Sequence, residues 1–411
     1  MKLAESLNRT MKLAMDEGRV QSYQEAIALF ASFRLRLQVA PGFKSSPGAE
    51  AAVLTLLRAG PKTFLGGIEL FGPLDEMCTL AWFTGKTLGE VAVSCGVRFE
   101  ARDDVHVPTI CVGAGEATSD GFWLGLHLRS DGFALTPGAS FTSEPDSSVE
   151  AGVAGAGAAL NQAFQHIYRR APQAGLREIP FKLPGNNWSA AARGQWLIGL
   201  GHLGQAYLWT LMLRSAEQRP VVVRLTDDDK VSASSLSTCL LVDAADVGRQ
   251  KTDAVAERLE ALGVTVQRDS VRLALDAGPV ESEHQLCIVA VDTLTLRRAL
   301  DRLHSSCVLE AGIGDGVDGF TRIQAHAFPS KRLARDIWAG ADLKASRAVD
   351  ISKPAYRRLL QESGDECGTT LVAGRSVATP FVGAFAGAVL ARLSAAGELR
   401  EHAWNFDVSA L

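Results

Sequence analysis

The chain has 411 residues, a hydrophobic fraction of 47%, a charged fraction of 21% and a formal net charge of −4. This is ordinary globular composition, long enough for two domains with substantial cores, and it carries no basic footprint for nucleic acid. The N-terminal stretch lacks an apolar signal core and no run of about 18 apolar residues occurs, so neither a secretory leader nor a membrane span is expected. The seven cysteines are scattered singly with no CxxC pair, which fits reduced thiols in a cytoplasm and argues against structural zinc.

Residues 1 to about 40 read as helices, because LAESLNRTMKLAMDEGRV and YQEAIALFASFRLRLQV carry apolar residues at three- and four-residue spacing. Pro41 to Pro47 breaks that pattern, and a helix from Ala49 to Leu57 leads into the apolar, glycine-bearing segment Thr63 to Gly72. A helical stretch at Asp75 to Trp82 follows, then strand candidates at Glu90 to Val93 and Pro108 to Val112. Phe122 to Leu128 and Gly132 to Thr136 read as a hairpin. The first half ends in a small-residue helix, VEAGVAGAGAALNQAFQHIY. Residues 171 to 194, rich in Pro, Gly and Asn, hold the expected domain boundary between 185 and 186.

The second half opens on its most informative stretch. A short strand, Trp196 to Ile198, enters the turn Gly199-Leu200-Gly201-His202-Leu203-Gly204, and a helical pattern runs from Gln205 to about Arg214. A second strand, Val221 to Leu225, leads to Asp227, Asp228 and Asp229. Strand, glycine turn, helix, strand and acid make up the nucleotide-binding half of a doubly wound sheet. Gly199, Gly201 and Gly204 let backbone N–H groups approach a phosphate at a helix N-terminus, and an acid at the second strand end accepts from ribose hydroxyls.

A glycine turn alone points first to an NAD(P)-dependent oxidoreductase, but the residues downstream pull toward ATP and Mg²⁺. Lys251, 24 residues past Asp227, stands before a helix (Thr252 to Leu262), where it reaches a triphosphate. Asp292 ends a buried strand (Gln285 to Val291) at the sheet's carboxyl edge, where an acid holds Mg²⁺ beside phosphates. Arg297 follows five residues later, in a helix read from Leu294 to His304. Next come a strand at Cys307 to Ala311, the loop GIGDGVDG, a strand at Phe320 to Phe328, a polar, partly helical stretch and a small-residue helix from Thr379.

The halves share an outline. FWLGLHLRSDGFALTP and SSVEAGVAGAGAAL answer VLEAGIGDGVDGFTRIQAHAFP and RSVATPFVGAFAGAVL, and PTICVG answers QLCIVAVD. This reads as a degenerate duplication in which the first copy offers FLGGIELFG where the second has its glycine turn, with no matching acid and lysine. The fold class is therefore α/β with two Rossmann-like halves, the second active and the first reduced.

The spacing DDDKVSASSL…DVGRQK, AVDTLTLRR and CG…SVATPFVGAFAG, over residues 190 to 400, resembles the ubiquitin-activating superfamily that includes ThiF, MoeB and HesA. The wording WLIGLGHLGQAYLW and the fused first half are most similar to the activating enzymes of bacterial Bil antiphage operons. The resemblance implies ATP-dependent adenylation of the C-terminal carboxylate of a ubiquitin-like protein, with a conjugating enzyme as a further partner. It implies ribose at the Asp227 to Asp229 cluster, phosphate at Lys251, Mg²⁺ at Asp292, and Cys367 as the cysteine that receives the activated carboxyl. The family pattern S-N-L-x-R-Q falls on Ser234 to Cys239, so its arginine is Thr238 here; Arg249 and Arg297 are candidates to replace it, and slower or altered adenylation is the other alternative. The family's zinc cysteines are missing.

Plainer readings stand beside these. Asp228 reads as a solvated turn residue, His202 as a packing or solvent-facing side chain, and Cys239, Cys287 and Cys307 as core thiols. Trp196, Trp209 and Trp338 read as core or interface aromatics. A nicotinamide oxidoreductase, a scaffold that binds a ubiquitin-like partner without consuming ATP, and homodimerisation of the whole chain stay open.

Overall fold

The computed structural model describes residues 6–97, 107–116, 122–137, 140–170, 178–184, 193–275, 278–339, 350–396, 399 and 402–411. Strands of four to seven residues build two sheets, apolar runs at their centres and alternating or polar sequences toward the edges. The first holds β1 (Arg34–Val39), β2 (Gly67–Phe71), β3 (Thr109–Val112), β4 (Trp123–Leu128), β5 (Gly132–Pro137) and β6 (Ile179–Lys182), in the order β2-β1-β3-β4-β5-β6. The first four of these run parallel, and β5 and β6 add antiparallel. The second sheet holds β7 (Gly194–Ile198), β8 (Val222–Thr226), β9 (Thr265–Asp269), β10 (Leu286–Val289), β11 (Cys307–Ile313), β12 (Arg322–Phe328) and β13 (Ala403–Asp407). Its order is β9-β8-β7-β10-β11-β12-β13, again parallel until two antiparallel strands close one side.

Superimposed in order, β1 answers β7, β2 answers β8, and β3 to β6 answer β10 to β13. Both halves are therefore Rossmann-like, and the second carries one more edge strand, β9. The segment FLGGIELFG is not the counterpart of the glycine turn. It forms β2, the equivalent of β8, whereas the turn's true counterpart is the Ala40–Ser46 connection after β1, which has one glycine.

The helices are α1 (Lys12–Asp16), α2 (Tyr23–Ala31), α3 (Pro47–Ala59), α4 (Leu88–Ser94), α5 (Val149–Arg169), α6 (His202–Leu213), α7 (Lys251–Glu260), α8 (Leu294–Arg298), α9 (Ala334–Ile337), α10 (Pro354–Ser363), α11 (Glu366–Gly374) and α12 (Pro380–Ser394). Four local expectations fail, two of them for identifiable reasons. RLRLQV alternates, burying Leu35, Leu37 and Val39, so β1 starts there and α2 stops at Ala31. Glu90 to Val93 lies in α4, whose start is a capping box between Thr87 and Glu90, a stronger local signal than four apolar-leaning residues. Asp75 to Trp82 forms no α-helix, and the helix from Leu294 ends at Arg298 before short turns and a two-residue strand. Among the described residues no helix is long and apolar enough to cross a membrane.

One hydrophobic core runs through both halves. Its centre is a helix layer in which α5 packs on α3 and α12, and α12 packs on α6. Small residues permit this closeness: a Cβ at Gly157 of α5 would lie 2.6 Å from the Phe381 carbonyl oxygen of α12. Inside the layer Arg214 donates from Nε to Glu150 Oε1 at 2.5 Å and from an Nη to the Ala391 carbonyl at 2.6 Å, with both side chains essentially solvent-free. Trp209 lies flat on Trp82 of the first half, 5.7 Å between ring centroids, and donates to Thr55 Oγ1 at 2.9 Å. The boundary expected between 185 and 186 lies outside the described residues.

Because the Glu150 carboxylate is fully buried, Arg214→Ala strands a charge in the shared layer. The expected loss is about 3–5 kcal/mol of stability, read as a lower urea midpoint. The double change Arg214→Met with Glu150→Leu is expected to recover most of it, and a midpoint unmoved by Arg214→Ala would refute the assignment.

Candidate active site

The site grows from the first turn of the second half. Gly199 follows β7 with φ +95, a value that disfavours any side chain. Gly204, in the first turn of α6, leaves no room for a Cβ, which would lie 2.0 Å from the Gly199 carbonyl oxygen. Gly201 differs: a Cβ there would meet nothing within 4 Å, so its face is open to the cavity. Sterics thus settle Gly199 and Gly204, while Gly201 bares the backbone where a ligand approaches the N-terminus of a twelve-residue helix.

The cavity, about 1130 Å³, lies at the carboxyl ends of β7, β8 and β10. Gly199, Gly201, Asp227, Asp229, Lys251, Asp292 and Arg297 all line it, with Gly204 behind the turn. The three acids divide their work. Asp227, its side chain only 9% exposed, accepts from the backbone N–H of Leu200 at 2.6 Å and of Asp229 at 2.9 Å. Asp228 pairs with Arg272 at 3.0 Å. Asp229, with its side chain 64% exposed, is the carboxylate presented to the cavity, where it meets Lys251 Nζ at 2.7 Å. Burial alone would lower the Lys251 pKa, but Asp227 and Asp229 outweigh it and hold the ammonium above the ordinary lysine value. In the other direction, burial opposes ionisation of Asp229, yet Lys251 more than offsets it and the pKa lies below the usual carboxylate range.

Asp292 is exposed at the cavity wall and has no hydrogen bond or ion pair among the described residues. No cluster of three acid, histidine or cysteine side chains able to hold a metal occurs among the described residues. Arg297 stands on α8, held by the Val291 carbonyl at 2.8 Å and Glu310 at 3.2 Å. Arg249 does not reach the cavity; it pairs with Asp246 at 3.1 Å and with Glu257 instead.

Among the cavity cations that escaped sequence reasoning, Arg9 and Arg375 stand beside the Ser376 carbonyl. Arg9 precedes α1, far in sequence from the rest of the site. It lines the cavity beside Thr238, with its backbone N–H on Ser237 Oγ at 3.2 Å and its Nε on the Ser376 carbonyl at 3.1 Å. Burial pulls its pKa down. Arg375, directly after α11 and next to the Ser376 that Arg9 contacts, also lines the cavity and is exposed. Neither arginine occupies a position that the sequence patterns single out, so the fold brings them in.

Cys367 does not line the cavity. It sits exposed near the start of α11, and the eight residues to Arg375 place it about 12 Å away along the helix at 1.5 Å per residue. Cys239 and Cys287 are buried as expected, and Cys307 is half-buried. Trp196 and Trp209 are core residues, and Trp338 packs under Arg297.

Two family models match the chain, the BilD N-terminal domain over residues 34–183 and the BilD C-terminal domain over residues 192–396. A curated relative, the bacterial E1-like protein BilD of Collimonas sp. (strain OK412), is 31% identical over 404 residues, covering 93% of this chain and 86% of its own length. The chain belongs to the BilD family of bacterial E1-like proteins. The crystal structure of SeMet PaaA is 24% identical over 32% of this chain and 40% of its own, with a TM-score of 0.25, too slight a likeness to carry weight. In this BilD-family chain the cavity falls wholly within the segment matching the C-terminal domain, apart from Arg9, which precedes both matched segments.

His202, the first residue of α6, shows why the cavity's charge is carried by side chains other than histidine. Burial, then Arg9 and Lys251, push its pKa from the ordinary 6.5 down to about 3, so the ring is neutral at physiological pH. The unfolded chain takes up that proton near 6.5 and the folded one only near 3, so stability drops as pH falls between those values. His202→Leu is therefore expected to flatten the urea-midpoint profile between pH 6.5 and 4 relative to the parent protein. An unaltered acid limb would show that the histidine's environment is misassigned.

Proposed function

We propose that this protein adenylates the C-terminal carboxylate of a ubiquitin-like protein, using ATP and Mg²⁺. The observation that carries the reading is the meeting of a bare glycine turn, Lys251, Asp229 and Asp292 on one cavity at the strand ends. A dinucleotide needs the glycine turn and one acid. The buried ammonium, a second open acid and the arginines around them suit a triphosphate better, since they neutralise charge that a nicotinamide cofactor does not bring.

Each group has a role that its position supports. Asp229, rather than the braced Asp227, accepts from the ribose hydroxyls. Lys251 gives its ammonium to the phosphates, sharing it with the two aspartates that keep it protonated. Mg²⁺ takes one or two carboxylates and fills its remaining positions with phosphate and water, so the open carboxylate of Asp292 fits it without an all-protein cage. Held there by Asp292, the ion would supply positive charge beside the phosphates. Arg9 and Arg297 stand for the arginine missing at Thr238, and Arg9 comes from the N-terminal segment of the same chain. In the reaction a carboxylate oxygen of the incoming tail bonds to the α-phosphorus, the bond to the β-phosphate oxygen breaks, and pyrophosphate leaves. These residues position charge and exclude alternative geometries, the main source of rate in phosphoryl and nucleotidyl transfer.

Asp292→Ala and Lys251→Ala are each expected to lower ATP–pyrophosphate exchange, measured with the ubiquitin-like partner, by about a hundredfold or more. Arg9→Ala is expected to cost about tenfold or more. Full exchange in the Asp292 variant would remove its metal role, and thermal stabilisation by NAD but not by ATP would overturn the adenylation reading.

The second step of the proposal transfers the acyl group to Cys367. The thiolate attacks the carbonyl carbon of the acyl adenylate and AMP leaves, giving a thioester. Cys367→Ala is expected to keep pyrophosphate exchange while abolishing a thiol-sensitive adduct with the ubiquitin-like protein on a non-reducing gel. An adduct of undiminished intensity would move the acceptor to another residue.

A further inference from the structure

Behind Arg297 stands a buried arrangement that the adenylation chemistry alone does not require. Glu310, fully buried on β11, lies with Oε1 3.2 Å from Arg297 Nε and with Oε2 2.9 Å from His326 Nδ1 on the neighbouring β12, its direct cross-strand partner. The Arg297 guanidinium also lies over the Trp338 ring, 4.9 Å from its centroid, while His326 meets the same ring edge-on at 5.3 Å. Nε donates to the Val291 carbonyl at 2.8 Å and Nη2 reaches the Ala311 carbonyl at 3.4 Å. Nη1 has no hydrogen-bond partner among the described residues and keeps its donors for an incoming anion.

Gly312, two residues beyond Glu310 on the same strand, completes the arrangement. A Cβ there would lie 2.5 Å from both Nη atoms, so the guanidinium crosses the strand at the one place where no side chain blocks it. Ala311, Gly312, Asp292 and Arg297 share the cavity wall.

We propose that Glu310, steadied by His326 and Trp338, is a positioning residue that locks the Arg297 guanidinium across Gly312 at the cavity wall beside Asp292, aimed at the anionic groups of the reacting substrates. The proposal rests on the adenylation reading for the identity of those groups, but not for the geometry. A buried acid of this kind is costly unless paired, and here its pairing fixes the orientation of a residue that reaches the site. A planar fork held at Nε and Nη2 loses little further freedom when Nη1 binds. Glu310 touches no cavity ligand itself.

Three variants of the full chain test this: Glu310→Gln, which keeps the shape and an acceptor oxygen, Gly312→Ala, which pushes on the guanidinium, and Arg297→Lys, which keeps charge without the fork. The first readout needs no nucleotide. Labelling by phenylglyoxal, located by mass spectrometry, is expected to be slow at Arg297 in the parent and about tenfold faster in Glu310→Gln and Gly312→Ala, as a released guanidinium should be. The second is ATP–pyrophosphate exchange, where Glu310→Gln is expected to lower kcat by about tenfold or more while KM for ATP stays within about twofold. Combining Glu310→Gln with Arg297→Lys is expected to add nothing to the cost of Arg297→Lys alone, because the two act through one group. Unchanged Arg297 labelling in both Glu310→Gln and Gly312→Ala, or costs that add in the double variant, would overturn the proposal. If labelling changes as stated but the parent shows no exchange, the positioning stands and the adenylation reading falls.

Discussion

The site depends on one carboxylate that is not free to bind anything new. Asp227 spends its oxygens on the backbone N–H groups of Leu200 and Asp229 and lies 3.4 Å from Lys251 Nζ. It thereby ties the glycine turn after β7, the end of β8 and the start of α7 into one unit. Charge-assisted hydrogen bonds from backbone donors are among the stronger polar contacts, and a largely buried carboxylate left without them would be costly. The glycines are shaped to meet this brace, since Gly199 needs its left-handed backbone and Gly204 must let the helix touch the turn. What remains for a ligand is the open face of Gly201, the exposed oxygens of Asp229 and the far side of Lys251.

The half without this apparatus is joined to the site by more than a linker. From the end of α3, Arg58 donates to the Leu240 and Val242 carbonyls at 2.6 and 3.2 Å, and Lys62, just beyond it, to the Leu236 carbonyl at 2.7 Å. These carbonyls flank Thr238, where the superfamily pattern would place its arginine. Burial pushes the Lys62 pKa down to about 8, close to the limit at which the ammonium still donates as a cation near neutrality. First-half cations thus hold the loop from behind while Arg9 enters the cavity from the side. With the largest core cluster shared through α5 and α12, separating the halves would expose both the helix layer and the loop that frames the site.

Much of this was legible in the residues. The glycine turn, the acids after β8, Lys251 before its helix and Asp292 after β10 each follow from a local rule about strand ends and helix starts, and all converge on one cavity. The duplication was legible too, because small-residue helices and paired strands recur in the same order in both halves. The misplaced element was FLGGIELFG: counting glycines equated it with the turn, although position in the β-α-β order makes it the second strand. RLRLQV was absorbed into a helix because leucines two apart also satisfy a loose helical stripe over a short window. Arg9, Arg375 and the Glu310–His326 pair were invisible for a different reason. Their places come from long-range packing, and no position that the local patterns single out falls on any of them.

Long-range packing also sets the element that carries Cys367 apart from the core. Of the nine residues in α11, only Thr369 and Val372 are buried, and Asp365 caps its first turn through the Gly368 N–H at 2.8 Å. By contrast, α12 is buried along nearly its whole length. Segments with few apolar contacts open at low free-energy cost, while core helices move only with global unfolding. α11, anchored only through Thr369 and Val372, is therefore the element that can move at low cost while the layer behind it stays fixed. Arg375, directly after α11, lines the cavity, so the element that carries Cys367 leads straight into the cavity wall.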